Sequence, residues 1–306
     1  MFDALRTLNL ELARLPETVS NPAIGSLRLQ FWRDSVRETF AGRPRREPIS
    51  LLLHEAITNL RSEGGTAIAS SIRFWMLRFI STREKYMGNH PFSTLEAMEE
   101  YAENTYSALM YMTLASTSTR SVHLDHLASH IGKACGIVAV LRGIPALAGW
   151  RQARKRPRTQ GGSTQHPMVL LPLDVMAAAG LSEEDVFRRG PEAPGLGDAV
   201  FEVATRAHGH IETARDMFKA LKAGLGPGHA FEHEGEAGHV YTDNGLDDGS
   251  RADLLRVFGI FLEAVPANEF LAGLEKVHFN PFAPGLQKNR WWLPIALWKS
   301  LASREI

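Results

Sequence analysis

Leu5, Leu8, Leu12 and Leu15 recur at intervals of three and four residues, which places one apolar stripe along a helix over Phe2–Pro16. The same period runs on and predicts helices over Pro22–Phe40, Pro48–Arg61, Thr66–Arg83, Ser93–Ser116 and Leu124–Ala148. Beyond a break it resumes over Pro172–Ala179, Ser182–Arg189, Leu196–Ala223, Arg251–Ala264, Asn268–Val277 and Lys288–Ser303. Start signals agree with these bounds. Pro22 and Pro48 fall in first turns, where the missing N–H has no partner to lose. Ser182 is followed by Glu183, Glu184 and Asp185, three acids that favour the positive end of a helix dipole. Alternating apolar and polar runs bounded by hairpin turns are scarce, so the pattern predicts an all-α fold.

Two stretches interrupt the helices. Residues 150–167 begin with Arg151, Arg154, Lys155, Arg156 and Arg158 and turn glycine-rich, and residues 224–250 are rich in glycine and acids. Neither has the apolar area to order itself, so both are expected to be flexible insertions in one domain spanning 1–306. The basic run lacks interleaved aromatic residues for base stacking and reads as a solvated loop.

Composition narrows the classes. The chain has 306 residues, 44% hydrophobic and 22% charged, with 34 basic and 34 acidic side chains. A balanced charge gives no overall pull toward nucleic acid, and no nucleic-acid partner is expected. Cys135 is the only cysteine, so no internal disulfide is possible, and its place on an apolar helix face predicts an inert buried thiol. The longest apolar stretch, Ile131–Gly149, is broken by Lys133, Arg142 and Pro145, which predicts a core helix and not a membrane span. The chain opens directly on a helical pattern; on that basis a processed form or a true start further upstream is expected.

Metal-ligand patterns are weak. Asp243, Asn244, Asp247 and Asp248 lack the spacing of a calcium loop. His208 and His210 are two apart and do not share a helix face; His126 and His130 do, but with no acid or second cysteine to complete a site.

The informative chemistry is an absence. Between Asp125 and Asp174 there is no acid at all, yet Arg142 stands in an otherwise apolar helix. The stretch HLASHIGKACGIVAVLRGIPALA, residues 126–148, resembles the second signature helix of squalene and phytoene synthases. IGSLRLQFWRDSV, with Arg28, Trp32 and Arg33, the helix YAENTYSALMYMTLAS beginning at Tyr101, and the Leu171-Pro172 step resemble other segments of the same synthases. The resemblance implies an isoprenoid-synthase-like helical bundle. In those enzymes a short run of aspartates in the first motif and two aspartates four residues apart in the second hold Mg²⁺ against a prenyl diphosphate. The matching positions here are Ala13, Arg14 and Glu17 in the first motif and Gly143 and Leu147 in the second, with Asn104 at a tyrosine position and Ser107 at a glycine. Mg²⁺ needs oxygen ligands, which Gly143 and Leu147 do not offer. Asp125 lies 18 residues upstream of Gly143, about 27 Å along a helix, and does not replace them.

The phrases LNLELA, RLQFWR, EEYAENTYSALMYMTL and HLASHIGKACGIVAVLR resemble, more narrowly, the branch of complex I assembly factors within that family. That resemblance implies a non-catalytic chain with no cofactor, whose partner is a complex I subunit or assembly intermediate. It also implies a place on the matrix side of the mitochondrial inner membrane, with peripheral membrane contact. A prenyl-diphosphate transferase with a rewired site, or a prenyl or lipid carrier, are the alternatives. Arg28, Arg33, Tyr101, Asn104, Lys133 and Arg142 are the candidate cavity or anion-binding residues. Arg142 either binds an anion or pairs with Glu11 or Glu103 across the bundle. Trp291, Trp292 and Trp298, beside Lys288, Arg290 and Lys299, form either a partner surface or a helix packed on the bundle.

Overall fold

A computed structural model describes residues 1–19, 21–62, 65–88, 90–117, 119, 121–149, 167–226, 228, 248–288 and 290–306. Among them every regular element is helical. They gather into two compact units, each built from three stretches of chain: 1–88, 104–130 and 214–261 in the first, 89–103, 131–213 and 262–306 in the second. The predicted insertions fall mostly outside the described residues, and Asp248–Ser250 already belong to the next helix.

The first unit opens with α1 (Phe2–Thr18), α2 (Pro22–Phe40), α3 (Pro48–Ser62) and α4 (Thr66–Lys85). The leucine stripe of α1 is buried throughout, as its spacing predicts. Asn21 caps α2 by accepting from the Ala23 amide at 2.8 Å, and proline follows in the first turn. Helix α4 packs against α2 and α6 (Ala108–Ser116). Trp75, Met76, Phe79 and Ile80 of α4 are buried, and the Trp75 ring meets Tyr111 of α6 at 4.7 Å. Each such side chain stabilises the fold by roughly 1.5–3 kcal/mol.

Helices α7 (Val122–Leu147) and α10 (Leu196–Lys222) divide between the units, α7 after His130 and α10 after Thr213. The first unit closes with α11 (Asp248–Arg256) and α12 (Phe258–Phe261), where Phe258 stacks on Phe218 at 5.3 Å. By length and mean hydropathy α7 has the make-up of a membrane-crossing helix, but 72% of its apolar window is buried inside the protein. That burial is the signature of a core helix.

The second unit holds α5 (Leu95–Ala102), the later turns of α7, α8 (Leu173–Ala178), α9 (Glu183–Arg189), the start of α10, α13 (Ala264–Glu275) and α14 (Leu293–Ser303). The Leu173 amide donates to the Phe92 carbonyl at 2.9 Å and Asp174 accepts from the Leu95 amide at 3.3 Å, which ties the starts of α5 and α8 together. Gly195, at φ +75°, turns the chain into α10 so closely that a Cβ there would lie 2.1 Å from the Ala179 carbonyl oxygen.

Three elements differ from the sequence pattern. The helix expected over 93–116 contains a π-helical turn, Glu103–Ser107, between α5 and α6. The helix expected over 251–264 is broken at Val257 and again after Phe261, and α13 starts before Asn268. The last helix starts at Leu293 and not Lys288, because Pro284–Gln287 forms a 3₁₀ turn ahead of it.

Candidate functional site

The buried side of α7 is set by Ile131, Ala134, Ile137, Val138, Leu141 and Ile144. Arg142 and Ala146 stand on its opposite side near the C-terminus and are exposed. Here the expectation for Arg142 needs correction. It pairs with neither Glu11 nor Glu103, and among the described residues it makes no ion pair. Its guanidinium sits 5.9 Å from the Phe270 ring of α13. The helix stays in the core on its other face as far as Ile144 and Ala148, and Arg142 lies on the face turned to solvent, where a charge needs no buried partner.

Arg142 lines a cavity of about 380 Å³ with Ala139, Gly143, Leu286, Gln287 and Lys288. Buried Leu286 anchors the 3₁₀ turn that delivers Lys288 to this wall. Gly143 adds no side chain to the lining; a Cβ there would meet only Leu147 Cδ1, at 3.5 Å. Arg290 stands next to this group. Its guanidinium lies 3.9 Å from Glu269 and 5.9 Å from the Trp292 ring, and Gly273 makes room for it, since a Cβ would come within 2.4 Å of an Arg290 Nη. Burial pulls the Arg290 guanidinium below its ordinary value; Glu269 opposes that and the like charge of Arg142 adds to it. A wall carrying Arg142 and Lys288 suits an anion: guanidinium offers a planar fork to phosphate or carboxylate, ammonium a point charge.

The other predicted residues do not join this wall. Arg28 is exposed on α2 and donates to Thr18 Oγ1 at 3.4 Å. Arg33 pairs with Glu84 and donates to Gln30 at 2.6 Å, so its charge is already matched. Tyr101 is half-buried against Phe92, ring centroids 5.3 Å apart. Asn104, on the π-helical turn, is 4% exposed, and its Oδ1 accepts no hydrogen bond among the described residues. Lys133 is buried nine residues before Arg142, about 13 Å along the helix, and does not line the cavity. Trp291, Trp292 and Trp298 are all exposed. His126 and His130 pack ring to ring at 5.1 Å.

Lys133 instead contributes charge to a carboxylate that the sequence does not single out. Glu99 of α5 lies 2.6 Å from His210 Nε2 and accepts from Arg206 at 2.9 Å, both on α10. Burial raises the Glu99 carboxyl, but the hydrogen bond and charge of His210 with the charges of Arg206 and Lys133 outweigh it and hold it below the usual range. Arg206 and His210 lie more than a hundred positions beyond Glu99 in sequence, and no local spacing signals the pairing. Cys135, half-buried, donates its thiol to the Glu263 carbonyl at 3.2 Å; desolvation, then the charge of Glu263, push its pKa up.

A Mg²⁺–diphosphate clamp does not fit the residues present. The positions matched to the second aspartate pair are Gly143 and Leu147, and in the first motif Ala13 and Arg14 are exposed, which leaves Glu17 as the one acid in either motif. Among the described residues no three His, Cys, Asp or Glu side chains are grouped to hold a metal ion. The wall at Gly143 carries cations where a metal clamp needs acids.

The profile of the squalene/phytoene synthase family matches residues 2–231. The chain belongs to that family. Within the squalene/phytoene synthase family it is 32% identical to NADH dehydrogenase (ubiquinone) complex I, assembly factor 6, of Rattus norvegicus, over 96% of this chain and 71% of that protein. It is also 32% identical to the assembly factor 6 homolog of Drosophila melanogaster, over 98% of this chain and 75% of that one. Among solved structures, a dehydrosqualene synthase in complex with ligand superposes with a TM-score of 0.62, 14% identity and coverage of 97% of this chain and 84% of that one. At that identity the likeness establishes the fold, the isoprenoid-synthase-like bundle that the sequence resemblance implies.

Proposed function

We propose that this chain is a non-catalytic member of the squalene/phytoene synthase family that serves the assembly of respiratory complex I. On this reading it binds a complex I subunit or assembly intermediate in mitochondria, on the matrix side of the inner membrane and in peripheral contact with it. One observation carries the non-catalytic half: Gly143 and Leu147 occupy the second aspartate positions, and the cavity beside them is lined by Arg142 and Lys288. Ionising a prenyl diphosphate leaves a leaving group of roughly three negative charges, and losing its metal clamp costs orders of magnitude in rate. The assembly half is supported by relatives named complex I assembly factor 6 across nearly the whole chain.

The test is genetic. Deleting the gene is expected to deplete assembled complex I on a native gel while leaving the other respiratory complexes and the cell's sterols and carotenoids unchanged. Normal complex I in the deletion strain overturns the assembly role.

A further inference from the structure

Helix α14 is apolar on two sides. Leu293, Ala296 and Leu297 face inward and are half-buried; Ile295, Trp298 and Leu301 form an outward stripe, and the helix has no fully buried residue. Trp291 and Trp298 are 78% and 69% exposed, with Trp292 beside them. A contiguous apolar patch left at the surface marks an interaction site. Among the described residues nothing covers the outward stripe.

Charge identifies the cover. Residues 288–306 carry four basic side chains, Lys288, Arg290, Lys299 and Arg304, and one acid, Glu305, in a chain whose basic and acidic side chains are equal in number overall. The segment leading into the helix also reaches the cationic cavity. Lys288 lines that cavity, and Arg290 lies against the Trp292 ring while feeling the charge of Arg142. An aromatic face beside a cationic pocket with room for a phosphate matches a bilayer interface, where indole rings settle at the level of the headgroup phosphates.

We propose that the α14 face docks on an anionic lipid bilayer, with Trp291, Ile295, Trp298 and Leu301 entering the interface and a lipid phosphate held between Arg142 and Lys288. Gly143 leaves that pocket open to the headgroup. The inference rests on the peripheral contact in the proposed function but not on the assembly role, so vesicle binding by the purified chain tests it separately from the deletion phenotype.

The experiment is flotation of the full chain with vesicles of phosphatidylcholine alone or mixed with phosphatidylserine, at physiological salt. The chain is expected to float with the mixed vesicles and to remain behind with pure phosphatidylcholine. Tryptophan emission should shift to the blue with the mixed vesicles as exposed Trp291 and Trp298 leave water, and the shift should be lost when both are replaced by serine. Trp291→Ser with Trp298→Ser is expected to weaken binding at least about tenfold. Arg142→Gln and Lys288→Gln should each weaken it about fivefold. Lys299→Glu, a surface change that leaves the aromatic residues in place, should weaken it as well, and unchanged thermal melting shows that each variant is folded. Three results overturn the proposal: no flotation of the native chain, equal flotation with both vesicles, or flotation only when membrane proteins are included, which identifies a protein as the occupant.

Discussion

The Glu99 carboxylate shows how one side chain joins α5 to α10. His210 and Arg206 both satisfy it, and the depressed pKa means that its stabilisation is present above the ordinary carboxyl value of about 4.5 and is lost as pH falls through the folded-state value. Glu99→Gln is therefore expected to cost about 2 kcal/mol at neutral pH, with the gap to the native chain narrowing below pH 4.5. Denaturant titrations across that range measure both effects. A gap that stays constant with pH refutes the assignment. Arg142 shows where residue-level reading fails. Its apolar neighbours suggest burial, whereas it stands with Ala146 on the exposed face of α7 while Leu141, Ile144 and Ala148 stay buried. In a helix this apolar throughout, hydrophobic period does not separate the buried face from the exposed one.

Elements reveal a second kind of blind spot. The buried stripes of α1 and α4 follow their spacing, because repeated apolar positions are the physical cause of the packing. The π-helical turn at Glu103–Ser107 leaves no such trace. It adds one residue to a turn without changing which residue types are apolar, and such bulges cluster at functional sites. The breaks at Val257 and after Phe261 are equally silent, since both sides remain helical. Turns with steric demands are easier to test. Gly195 combines a positive φ with a carbonyl 2.1 Å from any Cβ, so Gly195→Ala is expected to destabilise by more than about 2 kcal/mol. A thermal melt indistinguishable from that of the native chain refutes that local geometry.

At the scale of the molecule, the fold was legible and the function only half so. Helical period and the signature phrases lead to the isoprenoid-synthase-like bundle, and the paired aspartates missing at Gly143 and Leu147 are visible in sequence alone. Lys288 is not, because it reaches the cavity from 145 positions beyond Gly143. A cationic wall without carboxylates has a direct consequence for turnover. Purified chain incubated with farnesyl or geranylgeranyl diphosphate and Mg²⁺ is expected to release no diphosphate above the uncatalysed rate. Mg²⁺-dependent release, measured by a coupled phosphate assay, refutes the non-catalytic reading.

Cys135 offers a practical opening. Its sulfur is occupied by the Glu263 carbonyl, and its raised pKa leaves little thiolate at neutral pH. A cysteine engineered at an exposed position is therefore expected to react with a maleimide fluorophore ahead of Cys135.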